Sequence, residues 1–515
     1  MDKKQKFLKG ALILSAAGLI SKILGAVYRI VLGRWIGPYG MGLYQMAYPI
    51  YTTVLALATA GVPVAISILI ARKESQGYSG DSKRIFRIAL FLLLAIGASM
   101  TLIVINMAHF FSHSVYNNPN SYYAILAVAP AIFFSALLSV FRGYFQGYQF
   151  MTPTAVSQIV EQLFRVSAVF VLAWLLLPRG VEYAVAGATA GAAVGGFISL
   201  LFLICLYVIY RRKSKSHILP VFSEDTAADL TKKLVRLAVP ISLGAVVLPL
   251  VGFLDAVIVP NRLMVIGFSI EEATSLFGQL TGMAAVLIGL PTIFTIAIST
   301  SLSPAVSEAF ARQDFKLLRE HINLALRAGM LISFPCTAGL FILAAQICDL
   351  LYKYPEAGMP LEILAFSCIT LGAFQISSAG LQAIGRPKIA MYNLIITGIL
   401  KTFFNYFLTA IPYLNIKGAA VGTVIAFLIG SGLNLFFLYR LTKVRYEKDR
   451  MLKIAVVSAA MGLAVYFIYQ LLASRIAMFL STIAAIAIGV LVYVVLLLLI
   501  KEWDVSVFKH LKKGM

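Results

Sequence analysis

Charge is what this sequence has least of. Only 12% of its 515 residues are Asp, Glu, Lys or Arg, against 60% hydrophobic, and the mean hydropathy is +0.91. That balance excludes a soluble domain and points to a chain that crosses a membrane many times. Acids are the scarcer sign, 21 against 43 Lys and Arg. No Asp-x-Asp pair occurs in the connections expected outside the membrane, and the adjacent Glu271 and Glu272 read as a solvated helix start. A membrane enzyme working on headgroups would need an acid, a base or a metal site there, so that class is disfavoured. Cysteine is also rare: Cys205, Cys336, Cys348 and Cys368 lie in or at the ends of apolar runs with no Cys-x-x-Cys spacing. They read as small packing residues, and a disulfide framework or zinc site is not expected. Of five histidines, His109 and His113 are spaced i, i+4 but lack a third ligand nearby, and read as interfacial side chains.

What the chain has is long apolar runs. Bounded by charges and turn residues, they give fourteen candidate spans between residues 10 and 500, the first two at 10–36 and 43–71 and the eleventh at 389–411. With a cytoplasmic amino terminus, Lys and Arg concentrate in the two tails and the even-numbered connections. Arg179, Arg262, Lys353, Lys417 and Arg475 fall in odd-numbered ones, and Lys22, Arg29, Arg34, Arg165, Arg327 and Lys401 fall within spans. This positive-inside bias places both termini in the cytoplasm of a multi-pass plasma-membrane protein. The net charge of +22 is thereby an orientation signal with attraction for anionic lipid, and nucleic acid is not an expected partner.

The first span carries its own cations. Lys22 and Arg29 are seven residues apart, close to two helical turns, so they share a face with Ser15, Gly18, Gly25 and Gly33. At roughly 1.5 Å per residue Lys22 lies about 18 Å beyond Gly10, near the middle of a ~30 Å core. A cation at that depth costs about 2.5–3.5 kcal/mol on insertion scales and therefore needs a wet cavity or a partner. Arg34 is close enough to an interface to snorkel. The same two charges interrupt the run behind the basic start Lys3, Lys4, Lys6 and Lys9, which argues against a cleavable signal peptide.

An internal repeat of six spans follows from three sets of correspondences. Pro63, Ser67 and Arg72 close span two as Pro304, Ser307 and Arg312 close span eight; Pro153 and Pro178 bracket span five as Pro387 and Pro412 bracket span eleven; Gly187 and Gly191 match Gly418 and Gly422. An even number of crossings returns the chain to its starting side, so the halves should insert in parallel. The expected organisation is an amino-terminal six-helix lobe (1–210), a cytoplasmic linker (211–236), a second six-helix lobe (237–441), and two added helices with a basic cytoplasmic tail (442–515).

Other intramembrane charges have two readings each. Glu161 precedes Arg165 by four residues, so the two can neutralise one another on one helix, or serve a cavity together with Lys401 at nearly the corresponding depth of span eleven. Asp255 reads as an unpaired carboxylate, either a counter-ion for Lys22 or Arg29 or a coupling-ion site. Arg327 reads as a snorkelling residue. Pro63, Pro130, Pro240, Pro249, Pro291, Pro304 and Pro335 interrupt apolar runs and permit kinks.

The stretches SKILGAVYRIVLGRWIG (21–37), GLYQMAYPIY (42–51), FRGYFQGYQFMTPTAVSQIVEQLFRV (141–166), DAVIVPNRL (255–263), SLSPAVSEAF (301–310) and LQAIGRPKIAMYN (381–393) resemble the multidrug/oligosaccharidyl-lipid/polysaccharide (MOP) exporter superfamily, in its branch of lipid II flippases and stage V sporulation protein B. The resemblance implies a V-shaped pair of six-helix lobes around a cationic cavity, with the last two helices forming a lipid-facing groove. The cavity arginines of the family's first helix map loosely onto Lys22 and Arg29; Lys22 keeps the charge but not the bidentate geometry of Arg. The expected activity is flipping of an undecaprenyl-diphosphate-linked cell-envelope precursor, lipid II for peptidoglycan or spore cortex being favoured, from the inner to the outer leaflet by alternating access. Substrate binding falls to Lys22, Arg29, Gly25, Arg165 and Lys401, and coupling or counter-ion duty to Asp255 and Glu161. No cofactor or metal is expected, with Na+, H+ or the membrane potential open as the coupling force. Expected partners are the lipid-linked oligosaccharide, membrane lipids and cell-wall synthesis proteins. The alternatives are another lipid-linked polysaccharide precursor, or a cation-coupled multidrug antiporter of the same superfamily.

Overall fold

The computed structural model describes residues 3–213 and 221–500. Part of the expected linker (214–220) and the basic tail (501–515) lie outside the described residues. Among the described residues there is no strand, and the helices are α1 Lys3–Thr59, α2 Val62–Ser75, α3 Ser79–Phe110, α4 Tyr122–Val128, α5 Pro130–Gly147, α6 Thr152–Leu176, α7 Val181–Lys213 and α8 Ala227–Val265. They continue as α9 Ile270–Phe277, α10 Ala285–Ala311, α11 Phe315–Ile342, α12 Ala344–Tyr352, α13 Gly358–Leu364, α14 Ser367–Ala383, α15 Pro387–Leu408, α16 Ile416–Thr442, α17 Lys448–Ala473 and α18 Met478–Leu499.

Among these residues, eleven helical runs are long and apolar enough to cross a membrane, or twelve when the bent pair Pro355–Leu364 and Ser367–Ala383 counts as one span. Two features separate this number from the fourteen expected. The first run, Ile13–Ser75, is 63 residues long and contains both of the first two expected spans, and the helix Pro387–Leu408 at the eleventh is not among the runs counted.

The long α1 is broken at one point. Gly37 has φ +69° and ψ −177°, a conformation essentially confined to glycine that costs a side chain about 1–3 kcal/mol, and Pro38 follows it. A Cβ on Gly37 would also lie 2.9 Å from the Tyr354 hydroxyl. Prolines open helices elsewhere, where a missing N–H costs nothing: Pro63 in α2, Pro130 in α5, Pro153 in α6 and Pro387 in α15. Pro291, Pro304 and Pro335 sit inside α10 and α11.

Two compact units divide the chain, one of residues 1–28 and 39–257, the other of 29–38 and 258–515. The amino-terminal part of α8 therefore groups with the first unit, beyond the division at 236/237 that the linker suggests. In the first unit the reason is local. Gly61 donates its amide to the Ser242 hydroxyl at 2.9 Å, and a Cβ on Gly61 would stand 2.0 Å from the Ala238 carbonyl oxygen, so α8 presses on the backbone between α1 and α2. The core of this unit joins Ile66, Ile70, Phe86, Leu93, Phe141, Phe145, Leu203 and Leu234.

Each unit also holds a glycine-mediated helix pair and a buried tyrosine. Gly187 lets α7 approach Leu172 of α6, and Gly418 lets α16 approach Leu408 of α15; added Cβ atoms would stand 2.8 and 2.2 Å from backbone atoms there. Tyr116 donates to the Met46 carbonyl (2.8 Å, 70 residues apart), and Tyr352 to the Met283 carbonyl (3.1 Å, 69 apart). Both rings are fully buried, where an unmet hydroxyl would be costly. In the second unit α17 and α18 pack on one another and on α11, with the Tyr493 hydroxyl donating to the Leu331 carbonyl at 2.8 Å.

Candidate functional site

A buried charge cluster between α5 and α6 lies in the first unit. The Glu161 carboxylate on α6 accepts from Arg165 Nη2 one turn on, at 2.5 Å, and from Arg142 Nη2 on α5 at 2.8 Å. All three side chains are largely covered, 12–19% exposed. Arg142 also donates from Nε to the Ser157 hydroxyl at 3.0 Å, and Ser157 in turn donates to the Thr154 carbonyl. The cluster's depth is set by glycine: a Cβ on Gly195 of α7 would lie 2.5 Å from the Glu161 carbonyl oxygen, and one on Gly191 would lie 3.0 Å from that of Arg165. Two guanidiniums against one carboxylate leave a net positive charge in a medium of low dielectric, where its pull on an anion exceeds that in water.

Aromatic hydroxyls surround Arg165. Tyr28, Tyr48 and Tyr51 are its electrostatic neighbours. Tyr28 and Tyr44 share a hydrogen bond of 3.0 Å, and Tyr51 one of 3.2 Å with Ser135. Tyr44 stacks on Tyr48 at 5.6 Å, and the Tyr51 ring lies tilted against Tyr48 at 5.7 Å. Hydrogen-bonding capacity remains unused here: Arg165 Nε and Gln158 Oε1 are buried and find no partner among the described residues.

The expected pairing of Glu161 with Arg165 is present, and it is extended by Arg142, which is not among the charges expected within spans. The tyrosines at i, i+4 and i+7 were also missed; that spacing on one helix face was the signal available. Gly25 meets this region directly, its missing Cβ position being 3.6 Å from Gln162 Nε2. Lys22, three residues earlier on the same face of α1, is exposed. Arg29 is half-buried, groups with the second unit and has Tyr352 as an electrostatic neighbour; Lys401 on α15 is half-buried in that unit.

Asp255 requires a correction. It is 6% exposed and already engaged within the fold, so it is not an unpaired carboxylate. Burial at that level is tolerated only with a compensating interaction. Arg327 likewise does not snorkel: it is 7% exposed and not without a partner, in a stretch of α11 where Ala325 to Met330 are all buried. Cys205 is exposed on α7, whereas Cys348 and Cys368 are buried, and all four cysteines are free. His109 and His113 stack at 3.9 Å, and among the described residues no three or more His, Cys, Asp or Glu cluster as metal ligands.

The described residues thus form an all-helical, multi-pass membrane fold with a positively charged polar cluster among its helices. The polysaccharide biosynthesis protein family matches residues 7–265, and the MatE family matches residues 279–407. The chain is 32% identical over 508 residues to stage V sporulation protein B of Bacillus subtilis (strain 168), covering 97% of this chain and 96% of that one. It is 27% identical over 491 residues to lipid II flippase MurJ of the same organism, covering 91% and 89%. Among solved structures, lipid II flippase MurJ in an inward closed conformation superposes with a TM-score of 0.71 at 17% identity, covering 94% of this chain and 98% of that one. The chain belongs to the polysaccharide biosynthesis protein family of the MOP superfamily, in the branch of stage V sporulation protein B and the lipid II flippases.

Proposed function

We propose that this protein flips an undecaprenyl-diphosphate-linked cell-envelope precursor, with lipid II as the favoured substrate, from the inner to the outer leaflet. The observation that carries the reading is the Arg142–Glu161–Arg165 cluster, with one more cation than anion and with a buried Arg165 Nε left without a partner among the described residues. A diphosphate-sugar headgroup is excluded by hydrocarbon, so its carrier must supply positive charge and hydrogen-bond donors at depth. Lys22, exposed within an apolar helix, and Arg29 would take the diphosphate. Gly25 would give room for the sugar, and Arg165 and Lys401 would extend the positive wall. Glu161 and Asp255 would limit repulsion in the empty site or take part in coupling to Na+, H+ or the membrane potential.

The membrane layout belongs to the same proposal. The 63-residue first run would cross twice, turning at Gly37, and Pro387–Leu408 would cross once, giving fourteen spans with both termini cytoplasmic. Two parallel repeats of six would rock to alternate access, a layout supported by the Tyr116–Met46 and Tyr352–Met283 pairs at nearly equal spacing. The MatE match over 279–407 favours one other reading, a cation-coupled drug antiporter.

The test exchanges Lys22 and Arg29 for Gln, confirms membrane insertion, and measures outer-leaflet accessibility of labelled lipid II. The expected result is a loss of about tenfold or more, the size of one charge-assisted contact. Unchanged translocation sinks the cavity assignment, and wild-type resistance to cationic drugs favours the antiporter.

A further inference from the structure

At the ends of α5, α6 and α7 in the first unit there is an apolar groove of about 450 Å³, lined by Phe145, Phe150, Pro153, Val156, Phe202 and Leu206, with Ile209 and Tyr210 completing the wall. It lies apart from the Arg142–Glu161–Arg165 cluster, whose residues do not line it. Its volume falls in the range of small-ligand sites, roughly 300–1,000 Å³. Three rings brace one end: Phe145, Phe150 and Tyr210 lie 6.1–6.3 Å apart by centroids. The rim stays open, with Phe150 at 44% exposure and Ile209 at 50%.

The charge beside the groove says what fills it. Phe202, Leu206, Ile209 and Tyr210 recur at helical spacing along α7, so they form one stripe. Arg212, three residues beyond Ile209 and so its neighbour on the helix surface, is exposed at the end of α7, and Arg211 and Lys213 flank it in sequence. An apolar slot running into a basic helix end is complementary to an amphiphile with a long chain and an anionic head. We infer that this groove is a binding site for an anionic glycerophospholipid, one acyl chain lying between Phe150, Val156 and Leu206 and the phosphate meeting Arg212. The site is independent of which headgroup the protein translocates, since it shares no residue with the proposed transport site.

The experiment uses the full chain in nanodiscs of phosphatidylcholine and phosphatidylglycerol, with an acyl-chain diazirine on the phosphatidylglycerol in one preparation and on the phosphatidylcholine in another. Adducts are expected within 145–156 and 202–210 of the wild type. Val156→Trp, which fills the slot, should lower them about fivefold, and Val171→Trp, far along the same helix, should not. Arg212→Gln should equalise labelling by the two lipids. Equal labelling of the two Trp variants overturns the proposal, as does a preference for phosphatidylglycerol that survives Arg212→Gln. Adducts that appear only after deletion of residues 214–220 would mean that the chain itself fills the groove, and also overturn it. Should Val156→Trp not fold, the adduct map of the wild type decides alone.

Discussion

Arg142 and Glu161 meet across two helices, Nη2 to Oε2 at 2.8 Å, and this contact turns a local helical pair into a three-residue cluster. Glu161 is then one carboxylate shared by two largely buried guanidiniums. Removing it should hurt more than removing either arginine. Glu161→Gln is expected to lower stability by about 3–5 kcal/mol, as for a buried pair that loses one partner, whereas Arg142→Gln leaves the Arg165 contact in place and should cost less. Melting of the purified protein in detergent would compare them, and equal losses would contradict the bridging role.

Close backbone approach gives a second prediction with an internal control. Gly61→Ala puts a methyl 2.0 Å from the Ala238 carbonyl oxygen, and Gly418→Ala puts one 2.2 Å from that of Leu408. Neither neighbour is a flexible side-chain end, so both variants should express poorly or melt early. Gly244→Ala and Gly289→Ala, with nothing within 4 Å of the added atom, should be neutral or slightly stabilising. Thermal shift on the four proteins would show whether packing, rather than glycine as such, is what matters.

Gly37 tests backbone conformation instead. Its φ of +69° with ψ −177° penalises any side chain, and the Tyr354 hydroxyl can move aside, so Gly37→Ala should cost about 1–3 kcal/mol through the backbone alone. Gly37→Asn, whose tolerance of positive φ is confined to ψ near +50°, should lose as much as the Ala variant in the same melting assay.

The segment before α8 is docked by charge, and pH should release it. Ser223 donates to Asp81, Lys73 bridges Asp81 at 3.0 Å and Asp225 at 2.7 Å, and Lys233 holds Asp225 at 2.7 Å. The Lys233 hydrogen bond foremost, with that of Lys73, pulls the Asp225 carboxyl from its ordinary 3.8 down to about 2. A depressed carboxylate contributes stability above its unfolded value and loses it as pH falls through the folded one. The docking contribution should therefore be constant from pH 5 to 8 and fade between about 4 and 2. Amide exchange at Gly80, which donates to the Val221 carbonyl at 2.9 Å, reports it, and Asp225→Asn should speed that exchange already at neutral pH.

Much of this was legible in the residue order because it depends on short range. The i, i+4 spacing of Glu161 and Arg165 dictates their contact on any helix, and the capping box of Ser269 with Glu272 accounts for the acidic helix start. Prolines at 63, 130, 153 and 387 mark helix openings through their missing N–H. The membrane class followed from composition alone, since no soluble packing can cover so much apolar surface.

Tertiary structure decided the partners that lie far apart in sequence. Arg142 finds Glu161 19 residues on, and Lys73 finds Asp225 152 residues on, only because helices pack side by side. The same packing buries Asp255 and Arg327, which hydropathy left at an interface or alone. Helical periodicity states which residues share a face. Which other face it meets is set by glycine gaps such as Gly61 and Gly195, whose effect exists only when the second helix is in place.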